Sequence, residues 1–305
     1  MFIHLNTHSV YSPMRGLLSL SDLVDLSRSY GMDTLALTDV NGMWGFIRFV
    51  QHCRDAEINP IAGVNLITEK NKAVLLAENQ YGYENICRAV SAVHDDPSLS
   101  VADIVKYRAT GLFVLSHEAH TLKSLKTIIP DTHLFVELRP GIQETPTQNL
   151  GKELKLELVA TGDVYFRLRS DHAAHITLRA IEKNTTLKQL DPMECKSDQH
   201  WFRNEAEMVK LFPNSLNALN NSRYLADRCK RDWSFINTVF PGLSLRETHE
   251  SNKKLKDKVF SGAQKRYGEI DKNIRCRIEY ELDIITQKGF APYFLIVQDI
   301  VTQTR

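Results

Sequence analysis

Short apolar runs alternate with amphipathic segments along the first two thirds of this 305-residue chain. Several of the intervening segments have apolar residues at helical spacing, and strands separated by helices predict parallel βα units. About seven such units favour a closed barrel over an open sheet. The sequence therefore predicts an α/β fold, a distorted TIM-like (β/α)7 barrel. The runs predicted as strands are residues 2–5, 34–38, 61–67, 73–77, 112–116, 134–138 and 156–161.

The pattern changes near Asp163, beyond which helical spacing dominates and the chain is predicted to be mainly helical. We predict a barrel domain with helical additions over residues 1–240, a basic helical linker over 241–270 and a third segment over 271–305. A break at Pro241 and Gly242 leads into one long helical run, residues 251–288. Because apolar helical sequence continues to Arg305 without a cap, we expect the natural polypeptide to extend further.

The charges of the chain balance, with 38 basic and 37 acidic residues and a formal net charge of +1. This balance excludes a protein-wide basic field for nucleic acid, so any contact with a DNA backbone requires a local patch. The candidates are Lys253, Lys254, Lys256 and Lys258. Acidic residues interleave with this basic run, and a solvated helix face is the favoured interpretation.

Two further features concern the cellular setting. No apolar stretch reaches the ~18 residues that span a bilayer, so no membrane contact is expected. The five cysteines are scattered without a CxxC pair, which argues against a disulfide framework and against a thiolate zinc cluster. The sequence therefore predicts a reduced, cytoplasmic protein.

Side chains that can bind metals lie at or just after the ends of the predicted strands. In a βα barrel the C-terminal strand ends converge on one rim, where sites are built. Imidazole and carboxylate groups there would suit zinc or manganese phosphoester chemistry. Alternatively, such residues cap helices and hydrogen-bond loop amides, and spacing alone leaves both interpretations open. The residues are His4, Asn6, His8, Asp39, His117, Glu137 and Asp163.

Residues 2–12 resemble the opening motif of the PHP (polymerase and histidinol phosphatase) domain of bacterial DNA polymerase III alpha subunits, the C-family polymerases. Residues 277–285 and 289–297 are similar to the junction where that domain passes into the polymerase palm, which stand-alone PHP phosphatases lack. The resemblance implies that residues 271–305 begin the palm. It continues through residues 36–39, 60–63, 74–83, 158–165 and 196–199.

The chain departs from the family pattern at several expected metal ligands. Losing a supporting residue already lowers metal affinity or activity by ~10–100-fold, and losing ligands should lower it at least as much. Arg15 and Lys72 also add positive charge where divalent cations would lie. The resemblance thus implies a degenerate site without catalytic residues and without a resident cofactor. The departures are Asn6, Arg15, Val40, Asn65, Lys72 and Tyr165, which leave His8, Asp39, His117, Glu137 and Asp163.

The interpretation that follows is a non-catalytic PHP region with a structural and partner-docking role in DNA replication. His8, Asp39 and Asp163 remain weak candidates for one Zn²⁺ or Mn²⁺ ion. The alternatives are a metal-dependent phosphoesterase or 3′–5′ exonuclease that uses the remnant site, and a DNA-binding module based on the basic run.

The resemblance also implies where the polymerase chemistry lies. Two-metal nucleotidyl transfer needs clustered carboxylates, and no Asp-x-Asp pair follows residue 280. The catalytic aspartates and their Mg²⁺ should therefore lie outside this chain, which should not polymerise on its own. The expected partners are the rest of the polymerase polypeptide, DNA through the parent enzyme and the proofreading exonuclease subunit. Both a main replicase and an error-prone paralogue fit the sequence.

Overall fold

A computed structural model describes residues 1–229, 233 and 245–304. The chain divides into two compact units, Met1–Trp233 and Ser234–Arg305. The predicted break at Pro241 and Gly242, and the boundary beside it, lie outside the described residues. Among the helices of the described ranges, none combines the length and the apolar content needed to cross a membrane.

The first unit is built on a mixed sheet whose six strands, within the described ranges, follow one another in chain order. Nearly every strand residue is buried, which is typical of a sheet covered on both faces. The pairs β1–β2, β4–β5 and β5–β6 are parallel, whereas β3 runs antiparallel to β2 and β4. The strands are β1 (Thr34–Leu37), β2 (Asn59–Ile67), β3 (Lys72–Ala77), β4 (Leu112–Ser116), β5 (Leu134–Leu138) and β6 (Leu158–Ala160).

Nine helices of this unit fall within the described residues, and the inner faces of most pack on the sheet core. Ser19 begins the first helix with a capping box, because its hydroxyl accepts from the Asp22 N–H while the Asp22 carboxylate accepts from Ser19. The helices are α1 (Leu20–Ser29), α2 (Phe46–Asp55), α3 (Gln80–Asp95), α4 (Val101–Val105), α5 (Ala119–Leu125), α6 (Glu144–Leu154), α7 (His172–Glu182), α8 (Glu205–Leu211) and α9 (Leu216–Arg228).

The prediction of parallel βα units is wrong at β3, which runs antiparallel to both of its neighbours. Only residues 68–71 link β2 to β3, and a connection of that length closes an antiparallel hairpin, whereas a parallel crossover needs a dozen or more residues. The predicted count of seven βα units is therefore not confirmed. The fold is mixed α/β with a sheet of both strand directions.

The first residues of the chain lie between β1 and the segment that follows β6, although residues 2–5 are not a strand as predicted. On one side, the Ala36 N–H donates to the His4 carbonyl at 3.1 Å. On the other, the His8 N–H donates to the Val164 carbonyl at 2.9 Å, and the Val164 N–H donates to Asn6 at 3.0 Å. This buried segment thereby places Asn6 and His8 beside the end of β6.

The second unit has three helices in the described residues, α10 (Leu245–Tyr267), α11 (Lys272–Gln287) and α12 (Ala291–Gln303). The single helical run predicted over 251–288 is interrupted, because Gly268 adopts a φ of 74° and Asp271 caps α11 by accepting from the Ile274 N–H. A small apolar cluster holds the three helices together.

Candidate functional site

Strand-end side chains of the first unit surround a cavity of 440 Å³. Of the predicted ligands, His117, Glu137 and Asp163 line it, whereas His8 and Asp39 do not. Of the departures from the family pattern, Val40 alone is absent from its wall. The departures that line it are Asn6, Arg15, Asn65, Lys72 and Tyr165.

The centre of the site is the carboxylate of Asp163, which is only 1% exposed. The Arg139 guanidinium forms an ion pair with it, and the Lys196 ammonium lies 2.6 Å from Oδ2. His200 Nδ1 donates to the Asp163 carbonyl at 3.0 Å and lies 3.3 Å from Oδ2. Burial alone would raise the pKa of Asp163, but Lys196, Arg139 and His200 together hold it well below its usual range. Asp163 is thus a buried anion that the chain neutralises with its own cations.

The turn after β6 fixes the position of Asp163. Its backbone has a φ of 41°, a left-handed conformation that aspartate and asparagine tolerate better than most residues. The preceding residue is Gly162, where an added Cβ would lie 2.5 Å from the imidazole of His4. That imidazole is fully buried between Phe2 and Phe202, with Nε2 2.8 Å from the Arg203 carbonyl. His4 is therefore a core residue rather than a ligand.

Gly162→Ala is expected to lower the free energy of unfolding by about 1–3 kcal/mol, because the fully buried ring of His4 has no space to move away from the new methyl group. Urea unfolding measures this change. The matched substitution Gly262→Ala lies within α10 with no atom within 4 Å of the new Cβ, so it should stabilise its helix by about 0.5–1 kcal/mol. Equal effects of the two substitutions would contradict the steric argument.

Glu137, near the end of β5, is the second buried carboxylate. It accepts from Asn6 Nδ2 at 2.8 Å and from the Thr161 hydroxyl at 2.7 Å. Burial would raise its pKa, but His117, 3.7 Å away, and the Arg139 charge lower it to about 2. Asn6 Nδ2 also lies 3.5 Å from Asp163 Oδ1, so one amide bridges both carboxylates.

His8 has both ring nitrogens engaged. Nδ1 lies 3.0 Å from the Val164 carbonyl and Nε2 lies 3.0 Å from the Asn65 amide nitrogen. Since a carbonyl can only accept and an amide nitrogen only donates, the imidazole is neutral with its proton on Nδ1. Burial lowers the pKa of His8 to about 3, and the ring stacks on Tyr165 at 3.9 Å. No lone pair of His8 is left for a metal.

Asp39 does not line the cavity, and it stabilises the loop that contains Ser9 and Ser12. Its oxygens accept from the Ser9 N–H at 2.7 Å, the Ser9 hydroxyl at 2.8 Å and the Ser12 hydroxyl at 2.6 Å. Burial raises its pKa despite these hydrogen bonds. The Ser12 hydroxyl in turn accepts from the Val40 N–H at 3.0 Å, so this departure position supports the same loop.

These residues do not fit a divalent cation. The lone pair of His8 is taken by Asn65, and that of His117 accepts from Arg139 at 3.2 Å. A divalent ion near Asp163 would lie beside two positive charges in a region of low dielectric. Within residues 1–229, 233 and 245–304, no group of three or more histidine, cysteine or acidic side chains is arranged to hold a metal ion.

Arg15 and Lys72, the basic residues expected where divalent cations would lie, are not the cations that pair with Asp163. Arg15 pairs with Glu182 at 3.6 Å and Lys72 with Glu118 at 3.9 Å, although both line the cavity. Sequence reasoning did not name Arg139 and Lys196 as site residues. The available signals were that Arg139 follows β5 directly and that Lys196 opens one of the resembling segments.

The predicted DNA contacts lie on α10 of the second unit. Lys253, Lys254 and Lys256 are exposed, and Lys258 pairs with Asp299 at 3.5 Å. Their contact with DNA remains a prediction.

Comparison with known proteins gives the family. Residues 4–138 match the PHP domain, and residues 253–305 match the bacterial DNA polymerase III alpha NTPase domain. Residues 4–138 are thus a PHP domain, and residues 253–305 are of the bacterial DNA polymerase III alpha type. The match to the polymerase III alpha domain begins at residue 253, whereas the palm was predicted to begin at residue 271. That start of the palm stays a prediction.

Whole-chain relatives of the PHP region carry polymerase names. An error-prone DNA polymerase of Symbiobacterium thermophilum is 30% identical over 100% of this chain and 32% of its own length. The DNA polymerase III alpha subunits of Bacillus subtilis and Pasteurella multocida are 28% and 29% identical, each over 98% of this chain. The chain spans 29% and 30% of these two subunits. The relatives thus include both an error-prone enzyme and alpha subunits.

Proposed function

We propose that this PHP region is a non-catalytic structural part of a DNA polymerase, in which internal ion pairs take the place of metal ions. The observation that carries the proposal is the contact of Arg139 and Lys196 with the buried carboxylate of Asp163. A bound metal and these two cations would compete for the same negative charge. The site therefore serves to hold strand ends together, and the phosphoesterase chemistry of the family is lost.

Three departures from the family pattern support the same conclusion. Asn6 bridges Glu137 and Asp163, Asn65 donates to His8, and Tyr165 stacks on that imidazole. Each substituted side chain therefore contacts a remaining ligand. A site that had only lost its ligands would leave the rest without partners, whereas this one is rebuilt as a hydrogen-bonded network.

We also propose where the polymerase activity of the parent protein lies. Because the relatives are polymerases of which this chain spans about a third or less, we assign DNA-directed DNA synthesis and its Mg²⁺ to regions outside these residues. In that polypeptide the PHP region would brace the polymerase module and offer a docking surface, with the proofreading exonuclease subunit as the proposed partner. A remnant phosphoesterase or exonuclease is not favoured, because the Nε2 lone pairs of His8 and His117 already accept from Asn65 and Arg139.

The 305-residue chain is expected to show no metal-dependent hydrolysis of a phosphomonoester or of single-stranded DNA, since no histidine, cysteine and acidic side chains of the described residues are grouped to hold a metal ion. The assay compares Mn²⁺, Zn²⁺ and EDTA, with His8→Ala as the matched variant. The melting temperature should also differ by less than about 1 °C between Mn²⁺ and EDTA, because an ion that does not bind the folded state cannot stabilise it. Turnover that His8→Ala abolishes, or a clear stabilisation by Mn²⁺, would contradict the proposal.

A further inference from the structure

A second cavity of the first unit lies beside the start of β6, whereas the cavity of Asp163 lies beyond the end of that strand. Its volume is 650 Å³, and it shares no lining residue with the cavity of Asp163. The second half of α6, residues 155–158 and the first half of α9 form its walls, so we call it the α6–α9 groove. It is therefore separate from the network around Asp163.

Hydrogen bonds between the walls of the α6–α9 groove hold it in shape. The Asn214 backbone N–H donates to the Glu144 carboxylate of α6 at 3.0 Å, and the Asn214 side-chain amide donates to the same carboxylate at 3.2 Å. In addition, the Asn221 amide of α9 donates to the Leu158 carbonyl of β6 at 2.7 Å. A groove that is already formed costs less to occupy than one that its ligand must order.

The lining of the α6–α9 groove includes apolar surface. Leu156 and Ala218 are buried, and Leu158 is half-buried. Gly151 lets α6 approach this surface closely, because an added Cβ would lie 2.3 Å from Leu158 Cδ1. The apolar groups lie beside the asparagines of α9, so a ligand that fits has to combine apolar and hydrogen-bonding groups, as a peptide chain does.

Three polar side chains of the lining are free to contact a ligand. Asn217, Lys152 and Lys155 are exposed, and none of them has a hydrogen-bond or ionic partner among the described residues. In that part of the chain Glu157 is the one acidic residue of the lining, so two lysines against one glutamate leave a net positive charge. This balance favours a ligand with a negative charge.

Two asparagines of α9 have a spacing that suits an extended chain. Asn217 and Asn221 are four residues apart, a rise of about 6 Å along the helix. An extended peptide repeats every two residues, or about every 6.6 Å. A carboxamide has donors and an acceptor, so it can pair with the N–H and C=O groups of a peptide. Asn221 uses one N–H for Leu158 and keeps its second N–H and its oxygen for such a contact.

We infer that the α6–α9 groove binds an extended peptide segment of a partner protein, with an acidic side chain near Lys152 and Lys155. The amides of α9 match the backbone of the segment, the apolar lining matches its side chains, and the lysines supply the complementary charge. The volume of 650 Å³ falls within the range of about 300–1,000 Å³ that is usual for ligand sites. The inference rests on the proposed docking role and assigns a surface to it.

The test selects ligands from a phage-displayed library of short random peptides on the immobilised 305-residue chain. We expect the enriched peptides to contain more aspartate and glutamate than lysine and arginine. Fluorescence anisotropy then measures the affinity of the most enriched peptide, synthesised with a fluorophore. Asn217→Ala should weaken its binding by about 10-fold, the effect of two hydrogen bonds. Lys152→Gln should weaken it by about 3-fold, the effect of one exposed ion pair.

Two exposed residues provide matched control variants. Asn220→Ala removes an amide from the same helix, and Lys188→Gln removes a lysine, but neither residue lines the groove. Both variants should therefore bind the peptide as the unchanged chain does. Circular dichroism checks that all four variants are folded.

The outcomes separate this inference from the proposed loss of metal chemistry. A selection that enriches no acidic peptide, or a peptide that Asn217→Ala binds equally well, would overturn the inference and leave the network around Asp163 as described. Self-association of the chain that Asn217→Ala abolishes would also overturn it, because the occupant would then be a second copy. Metal-dependent hydrolysis would overturn the proposed loss of metal chemistry without affecting peptide binding, since the two cavities share no residue.

Discussion

Asp163→Asn is expected to lower the free energy of unfolding of the first unit by about 3–5 kcal/mol, because it removes the buried anion that pairs with the partly buried charges of Arg139 and Lys196. Asparagine keeps the shape of the side chain and tolerates the left-handed backbone at this position, where φ is 41°. The loss is therefore one of charge. Urea unfolding at neutral pH measures it as a lower midpoint at constant slope.

The sign of this effect separates two kinds of site. In a metal site studied without its metal, clustered carboxylates repel each other, so neutralising one should stabilise the fold. In the network described above, the same substitution removes the central anion. Asp198→Asn is the matched control, because Asp198 pairs with Arg169 at the surface, with side chains 34% and 67% exposed, and an exposed pair contributes only about 0–1 kcal/mol. A stabilising Asp163→Asn would contradict the structural role.

The positions of most strands could be predicted, since β1, β3, β4 and β5 are each buried apolar runs of ordinary strand length. The direction of β3 was missed because periodicity carries no information on direction, and the short link after β2 decides it. The long C-terminal run was predicted as one helix because its helical spacing continues on both sides of Gly268. That glycine and the cap at Asp271 mark the interruption.

The candidate site was predicted in position but not in chemistry. In a βα barrel the C-terminal ends of the strands converge on one rim. Because Glu137 and Asp163 lie at or just after predicted strand ends, they could be placed at that rim. The ion pairs could not be predicted, since Lys196 lies 33 residues and Arg139 lies 24 residues from Asp163 in sequence. Such pairing depends on how loops return to the rim, which local sequence does not specify.

The first unit is also expected to lose stability steeply as pH falls from about 6.5 to 4. Burial lowers the pKa of His4 and His175 to about 4 and of His8 to about 3, and it also lowers that of His200. In the unfolded chain these imidazoles titrate near 6.5, so below that pH the unfolded state binds up to about four more protons than the folded state. The free energy of unfolding should then fall by about 4–5 kcal/mol per pH unit, measured as urea midpoints across the range.

The buried carboxylates change the free energy of unfolding at other pH values than the histidines do. Glu137 and Asp163 have lowered pKa values, so the stability that they contribute is lost only below the unfolded carboxyl pKa, near pH 4. Asp39 opposes the trend, because its raised pKa lets the folded state bind a proton first. The variant His8→Gln should reduce the slope by about 1.4 kcal/mol per pH unit, whereas His120→Gln, at an exposed position, should leave it unchanged. A flat profile between pH 6.5 and 4.5 would mean that these imidazoles become protonated in the folded protein, and His8 would then lose its acceptor role toward Asn65 and with it the hydrogen-bonded network at the rim.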